Sequence, residues 1–170
     1  MGVSGSGKTT IAQGIAARTG LVYGEADAFH PPGNVAKMSA GIPLEDADRW
    51  PWLRALAAWM AQQAAQGVST VLACSALKRA YRDVLRAGVP DGRDAHAVQF
   101  VHLDGSSQLI RQRMAHRSGH FMPVGLLRSQ LDDLQPLDED EDGLILDASE
   151  PADELVARAV AALGLPTLSP

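Results

Sequence analysis

Residues 2–9 read GVSGSGKT, a glycine-rich run that ends in a lysine and a hydroxyl. The spacing G-x-x-x-x-G-K-[ST] is that of a Walker A loop, and phosphate chemistry needs each residue type in it. Gly2, Gly5 and Gly7 let the backbone curl, so that its N–H groups, with those of Val3, Ser4 and Ser6, point inward at phosphate oxygens. The loop runs directly into an amphipathic stretch, and a helix N-terminus there adds partial positive charge. Lys8 is placed to reach the β- and γ-phosphates and the Thr9 hydroxyl to ligate Mg²⁺, with Thr10 beside them a further ATP-binding candidate. The run therefore predicts a site for ATP and Mg²⁺.

A P-loop specifies the phosphoryl donor, not the acceptor. The next informative stretch is residues 23–53, YGEADAFHPPGNVAKMSAGIPLEDADRWPWL, which is too polar and irregular for a core segment. Its Asp27, His30, Asn34, Lys37, Asp46, Asp48 and Arg49 together suit a polyhydroxylated anion. Asp27 lies just past a short apolar segment, at the strand end where ligands bind in open α/β sheets. The plainer alternative is an Asx turn at Asp27 and a solvated loop for the rest. Further along, Arg113 and Arg117 are four apart and share a helical face leading into the turn SGHFMP. Such arginines suit charge developing on transferring phosphates, and His120 is a further contact candidate. An exposed helix end, where Arg favours the macrodipole, is the alternative for Arg117.

These groups need a scaffold, and the apolar pattern supplies one. Short apolar runs alternate with amphipathic stretches, which predicts βαβ units and a parallel sheet. Helices are expected over 8–19, 34–40, 50–66, 78–87, 106–117, 124–134 and 153–163, with Pro51 in the first turn of the third. Strands are expected over 21–23, 68–75, 98–104 and 143–147. The run DEDED at 138–142 reads as a solvated acidic loop.

The chain has 170 residues, enough for one domain, and 46% of them are hydrophobic against 21% charged, as in a globular protein. A net charge of −5 speaks against a nucleic-acid partner. No apolar run reaches membrane-span length, and no signal-peptide pattern opens the chain. Cys74 is the single cysteine, in an apolar run that predicts a buried reduced thiol. A cytoplasmic protein is expected.

Four segments together, GVSGSGKTT, ADAFHPPGNVAKMSAGIPLEDADRWPWL, CSALKRAYRDVLR and GHFMPVGLLRSQLDDL, resemble the bacterial gluconokinase family. They occur in the expected order over positions 2–134, and the second is specific to gluconokinases among P-loop kinases. The resemblance implies a three-layer α/β/α P-loop NTPase fold of the nucleoside-monophosphate-kinase type, with a parallel sheet and a small helical lid at about 113–130. It implies transfer of the ATP γ-phosphate to D-gluconate, Mg²⁺ dependence and a homodimer. Position by position, Asp27 resembles the carboxylate that holds the reacting hydroxyl. His30, Asn34, Lys37 and Arg49 match the substrate-loop motif, and Ser75, Lys78 and Arg82 match CSALK…YRD. The segment LDASEPADELV resembles the adenine-side loop, although Asp147 there can equally be a cap. Two other readings remain open, a kinase for another hydroxy acid such as shikimate and a nucleotide-binding module without catalysis.

A Walker loop ordinarily follows a central strand, and here only Met1 precedes Gly2. The expectation is a natural start about six to ten residues upstream, and a slot between the strands at 71–75 and 99–103 that ends at Met1.

Overall fold

The computed structural model describes residues 1–89, 98–115 and 125–168. Helix α1 (Lys8–Thr19) springs from the glycine-rich loop. Its N-cap, Gly7, has φ +102°, a left-handed conformation that costs a residue with a β-carbon energy. Strand β1 (Val22–Glu25) follows, then a 3-10 turn at Ala26–Phe29. Helix α2 (Pro32–Ser39) begins on Pro32, whose missing N–H costs nothing in a first turn.

Helix α3 (Asp46–Ala65) begins four residues before the expected start, because Glu45 and Asp48 form a capping box. Pro51 consequently lies inside the helix rather than in its first turn. The remaining elements are β2 (Thr70–Ala73), α4 (Arg79–Gly88), β3 (Phe100–Asp104), α5 (Ser107–Ala115), α6 (Gly125–Asp133), β4 (Gly143–Asp147) and α7 (Ala152–Ala162).

All strand pairing in the described residues is parallel, in two pairs, β1 with β2 and β3 with β4. Helices cover both faces. On one, α1 and α7 pack Ile11, Ile15, Leu155, Val156 and Ala159 against Leu103 and Leu146. On the other, α3, α4 and α6 bring Trp52, Leu53, Leu56, Tyr81, Leu85 and Leu127 together with Phe100. Alternation along β3 sends Phe100 to one core and Leu103 to the other, so the layers are α/β/α.

Strands β2 and β3 are not hydrogen-bonded to each other. Between them lies a cavity of about 550 Å³ flanked by Thr70–Cys74 on one side and Val98–Val101 on the other. Met1 and Gly2 stand at its end. Gly2 N–H donates to Ser75 C=O at 3.1 Å, Leu103 N–H donates to Met1 C=O at 3.0 Å, and the Met1 amine donates to Val101 C=O. The Walker loop is thereby anchored to both strand pairs at their carboxyl ends.

The acidic run at 138–142 is exposed at Asp138, Glu139 and Asp140, as a solvated loop would be, but not at Glu141. The Glu141 side chain is buried and holds Arg82 and Arg86, while Asp138 and Asp140 hold Arg79. These three carboxylates each meet an arginine of α4, so the loop is clamped to that helix.

Candidate active site

The Walker loop and the acceptor segment open into one cavity of about 320 Å³. Ser4, Gly5, Ser6, Gly7, Lys8, Thr9 and Thr10 line one wall, with Asp27, His30, Arg49, Trp52 and Ser75 opposite. The far end reaches Glu150, Ala152 and Leu155, beyond β4. Gly2 and Val3 frame the loop instead of lining it. A β-carbon on Gly2 would lie 2.8 Å from the Leu103 carbonyl oxygen, so only glycine lets the loop pass this close to β3. Lys8 Nζ donates to the Val3 carbonyl at 2.8 Å, which folds the lysine back over the loop.

Thr9 Oγ1 donates to Glu25 Oε2 at 3.0 Å, and Tyr23 donates its phenol to the same oxygen at 2.5 Å. Burial, then the Glu25 carboxylate, push the Tyr23 phenol up to about 12, so it stays a donor. Glu25 therefore belongs beside the Walker threonine. Asp27 lies two residues on but in the 3-10 turn, its side chain 74% exposed at the cavity wall.

His30 stacks on Trp52 with ring centroids 4.4 Å apart, and Trp52 Nε1 donates to the Ala26 carbonyl at 2.7 Å. Helix α3 thus holds the turn that carries Asp27. Burial holds His30 below its ordinary pKa despite Asp27 at 4.0 Å, so the ring is neutral at pH 7. Asn34 does not line the cavity; its amide donates to Asp48 C=O at 2.9 Å and meets His30 Nδ1 at 3.3 Å. Lys37 is likewise outside the lining, paired with Asp48 at 2.6 Å.

The expected acceptor-side cations divide. Arg49 lines the cavity and donates Nη1 to Asp133 and to the Tyr81 hydroxyl, both at 2.7 Å. Burial opposes its charge, but Asp133 and Tyr81 outweigh burial and hold its pKa up. Lys78 is set back, pairing with Asp46 at 2.8 Å and Asp133 at 3.2 Å.

Arg82 is a correction to the sequence expectation. Its side chain is fully buried, forked onto Glu141 and bonded to the carbonyls of Ala76, Leu77, Gln135 and Pro136. It does not line the cavity, and its donors are used in holding the loop 135–141 to α4. Arg113 joins the Walker loop to the far end of the cavity, donating to Ser6 C=O at 3.3 Å and Ala148 C=O at 2.6 Å. Asp147 closes an Asx turn, accepting Ser149 N–H at 2.8 Å, and does not cap α7, whose N-cap is Pro151. Arg117, His120 and half of the expected lid, residues 116–124, lie outside the described residues.

Trp52, Gln130 and Asp133 are among the residues at or beside the cavity that sequence reasoning left unassigned, and Glu25 was legible as an alternative carboxylate to Asp27. Only Glu25 carried a usable signal, its spacing of two from Asp27.

No family model matches the chain. Among curated proteins it is 50% identical to a gluconokinase of Gluconobacter oxydans over 141 residues, 83% of this chain and 76% of that protein. Among solved structures, a sugar kinase from Janibacter sp. superposes with a TM-score of 0.90 at 57% identity, covering 97% of this chain and 92% of the other. A gluconokinase from Sinorhizobium meliloti superposes with a TM-score of 0.83 at 45% identity, over 96% and 89% of the two chains. With a Walker loop between parallel strand pairs and these relatives along most of its length, the chain belongs to the gluconokinase family.

Proposed function

We propose that the protein transfers the γ-phosphoryl group of ATP to the 6-hydroxyl of D-gluconate, giving 6-phospho-D-gluconate and ADP. The observation that carries this reading is the shared cavity, lined at once by the Walker residues and by Asp27, His30, Arg49 and Ser75. Donor and acceptor must meet in one desolvated space, because such a transfer is catalysed mainly by positioning and charge neutralisation.

In this scheme the backbone N–H groups of residues 4–9 and Lys8 hold the phosphates. Arg113, tied to both ends of the nucleotide cleft, faces the charge that develops on the transferring group. Asp27 accepts the proton of the acceptor hydroxyl as its oxygen bonds to the γ-phosphorus and the bond to the β,γ-bridging oxygen breaks. Neutral His30 and charged Arg49 bind the sugar acid, its hydroxyls and its carboxylate respectively. Arg117 and His120 are proposed as lid contacts.

The Thr9 hydroxyl and the Glu25 carboxylate, 3.0 Å apart, are a donor set that fits Mg²⁺, which takes few protein oxygens beside substrate phosphates. Bound there, the ion would neutralise phosphate charge. A cytoplasmic homodimer, with no nucleic-acid or membrane partner, belongs to the same reading. Among the described residues no helix is long and apolar enough to cross a membrane.

A panel of acceptors in a coupled ADP-release assay tests the reading. Gluconate should stimulate turnover far above shikimate and other sugar acids. Stimulation by shikimate instead would transfer the assignment to another hydroxy acid, and ATP binding without stimulation by any acceptor would leave a nucleotide-binding module.

A further inference from the structure

One face of α6 touches both halves of the cavity. Gln130 and Asp133 are three apart, hence neighbours on the helix surface. Gln130 Oε1 accepts the N–H of Ser4, in the Walker loop, at 2.7 Å. Asp133 accepts from Arg49 at 2.7 Å and lies 3.2 Å from Lys78 Nζ. The same side of α6 is seated by Leu126 and Leu127, both buried and four and three residues before Gln130. The helix is therefore a packed rod with one polar end on the phosphate loop and the other on the acceptor-side cations.

Those cations form a closed set. Tyr81 accepts from Arg49 and donates to Asp46 at 2.5 Å, and Asp46 also holds Lys78. Asp46 and Arg49 come from α3, Tyr81 from α4 and Lys78 from its N-cap, whereas Asp133 comes from α6. Asp133 does not line the cavity, but Arg49 does. Burial alone would raise the Asp133 carboxyl, yet Arg49 and Lys78 hold it below the usual range, so it is charged at neutral pH.

We propose that α6 couples the two substrate sites, with Gln130 following the Walker loop and Asp133 setting the position of Arg49, so that nucleotide binding tightens acceptor binding. This rests on the cavity being an ATP–gluconate site. Filling the cradle reorients the Ser4 amide, and a packed helix passes that displacement to Asp133 through one rigid turn. Asp133 is a positioning residue, acting through Arg49. By linkage the coupling is reciprocal, gluconate tightening nucleotide by the same factor.

Calorimetric titration of gluconate, with and without the β,γ-imido analogue of ATP, tests this. In the wild type the analogue should tighten gluconate by about fivefold or more, the lower end of ordinary coupling. Asp133→Asn keeps shape and loses the charge. It should bring the ratio to near one while leaving the analogue's own affinity unchanged. Gln130→Met, which removes the acceptor for Ser4, should also abolish the ratio.

A wild-type ratio of one, or an undiminished ratio in either variant, overturns the role of α6. A lower melting temperature with both affinities weakened and the ratio intact marks Asp133 as merely structural and overturns it too. A wild type that binds the analogue but no gluconate in either condition refutes the acceptor assignment, and the coupling with it.

Discussion

Replacing Glu141 by Gln separates two roles for Arg82, the buried clamp of the structure and the substrate contact of the sequence motif. Both side chains are 0% exposed, and Arg82 donates Nε and Nη2 to the two carboxylate oxygens at 2.7 and 2.5 Å. Removing one partner of a buried ion pair typically costs about 3–5 kcal/mol, because the other charge stays desolvated. The lower end applies here, since Arg82 keeps four backbone carbonyls and the amide keeps one acceptor oxygen.

The titration of Glu141 leads to a similar size. Hydrogen bonding from Arg82, against the cost of burial, pulls its carboxyl from 4.5 to about 2, a difference equivalent to about 3 kcal/mol. For a chain of this length each kcal/mol moves the Tm by about 2–4 °C, so Glu141→Gln should melt about 6–12 °C early. The sign with pH follows from a depressed folded pKa. The stabilisation is complete above about 4.5 and is lost as pH falls through about 2, so the gap between parent and variant should narrow on acidification from pH 6. Thermal melts at several pH values, with the specific activity of the folded fraction, are the assay. A Tm within about 2 °C of the parent, together with a tenfold higher KM for gluconate, would refute the clamp and return Arg82 to the substrate.

Lys8→Ala should cut turnover about a hundred- to a thousandfold, corresponding to ~2.7–4 kcal/mol of lost transition-state contact, with the fold intact by circular dichroism; near-parental activity would remove the Walker assignment. Asp27→Asn should lower kcat about a hundredfold or more with ATP binding unchanged, whereas an unchanged kcat with a higher KM for gluconate would make Asp27 a binding group. Glu25→Gln, measured beside it, should instead raise the Mg²⁺ concentration needed for half-maximal rate; no change in that requirement would dissociate Glu25 from the metal. Arg113→Ala should reduce kcat/KM for ATP at least tenfold while lowering the Tm by only a few degrees, the scale of one or two hydrogen bonds, and early melting with full specific activity would assign it to structure alone.

What the sequence determined by itself was local chemistry. GVSGSGKT must curl around phosphate because its glycines admit left-handed φ at Gly5 and Gly7 and its lysine and threonine open the helix that follows. The alternation of apolar runs likewise dictated parallel strands under two layers of helices, within a few residues at each boundary. Boundaries moved where a side chain captured a free backbone group, as Glu45 and Asp48 do at the start of α3.

Tertiary structure alone decided which charges face the cavity and which only face each other. Arg49 and Arg82 look alike in sequence, each a basic residue in a motif of the same family. One lines the cavity and the other is enclosed by Glu141 and four carbonyls, because the segment 135–141, 53 to 59 positions further on, folds back onto α4. The DEDED run reads as solvated for the same reason. Nothing in five acidic residues in a row marks the fourth as the one that a buried guanidinium claims. Long-range pairing is decided by where helices pack, and a buried charge takes whichever opposite charge the packing brings within reach.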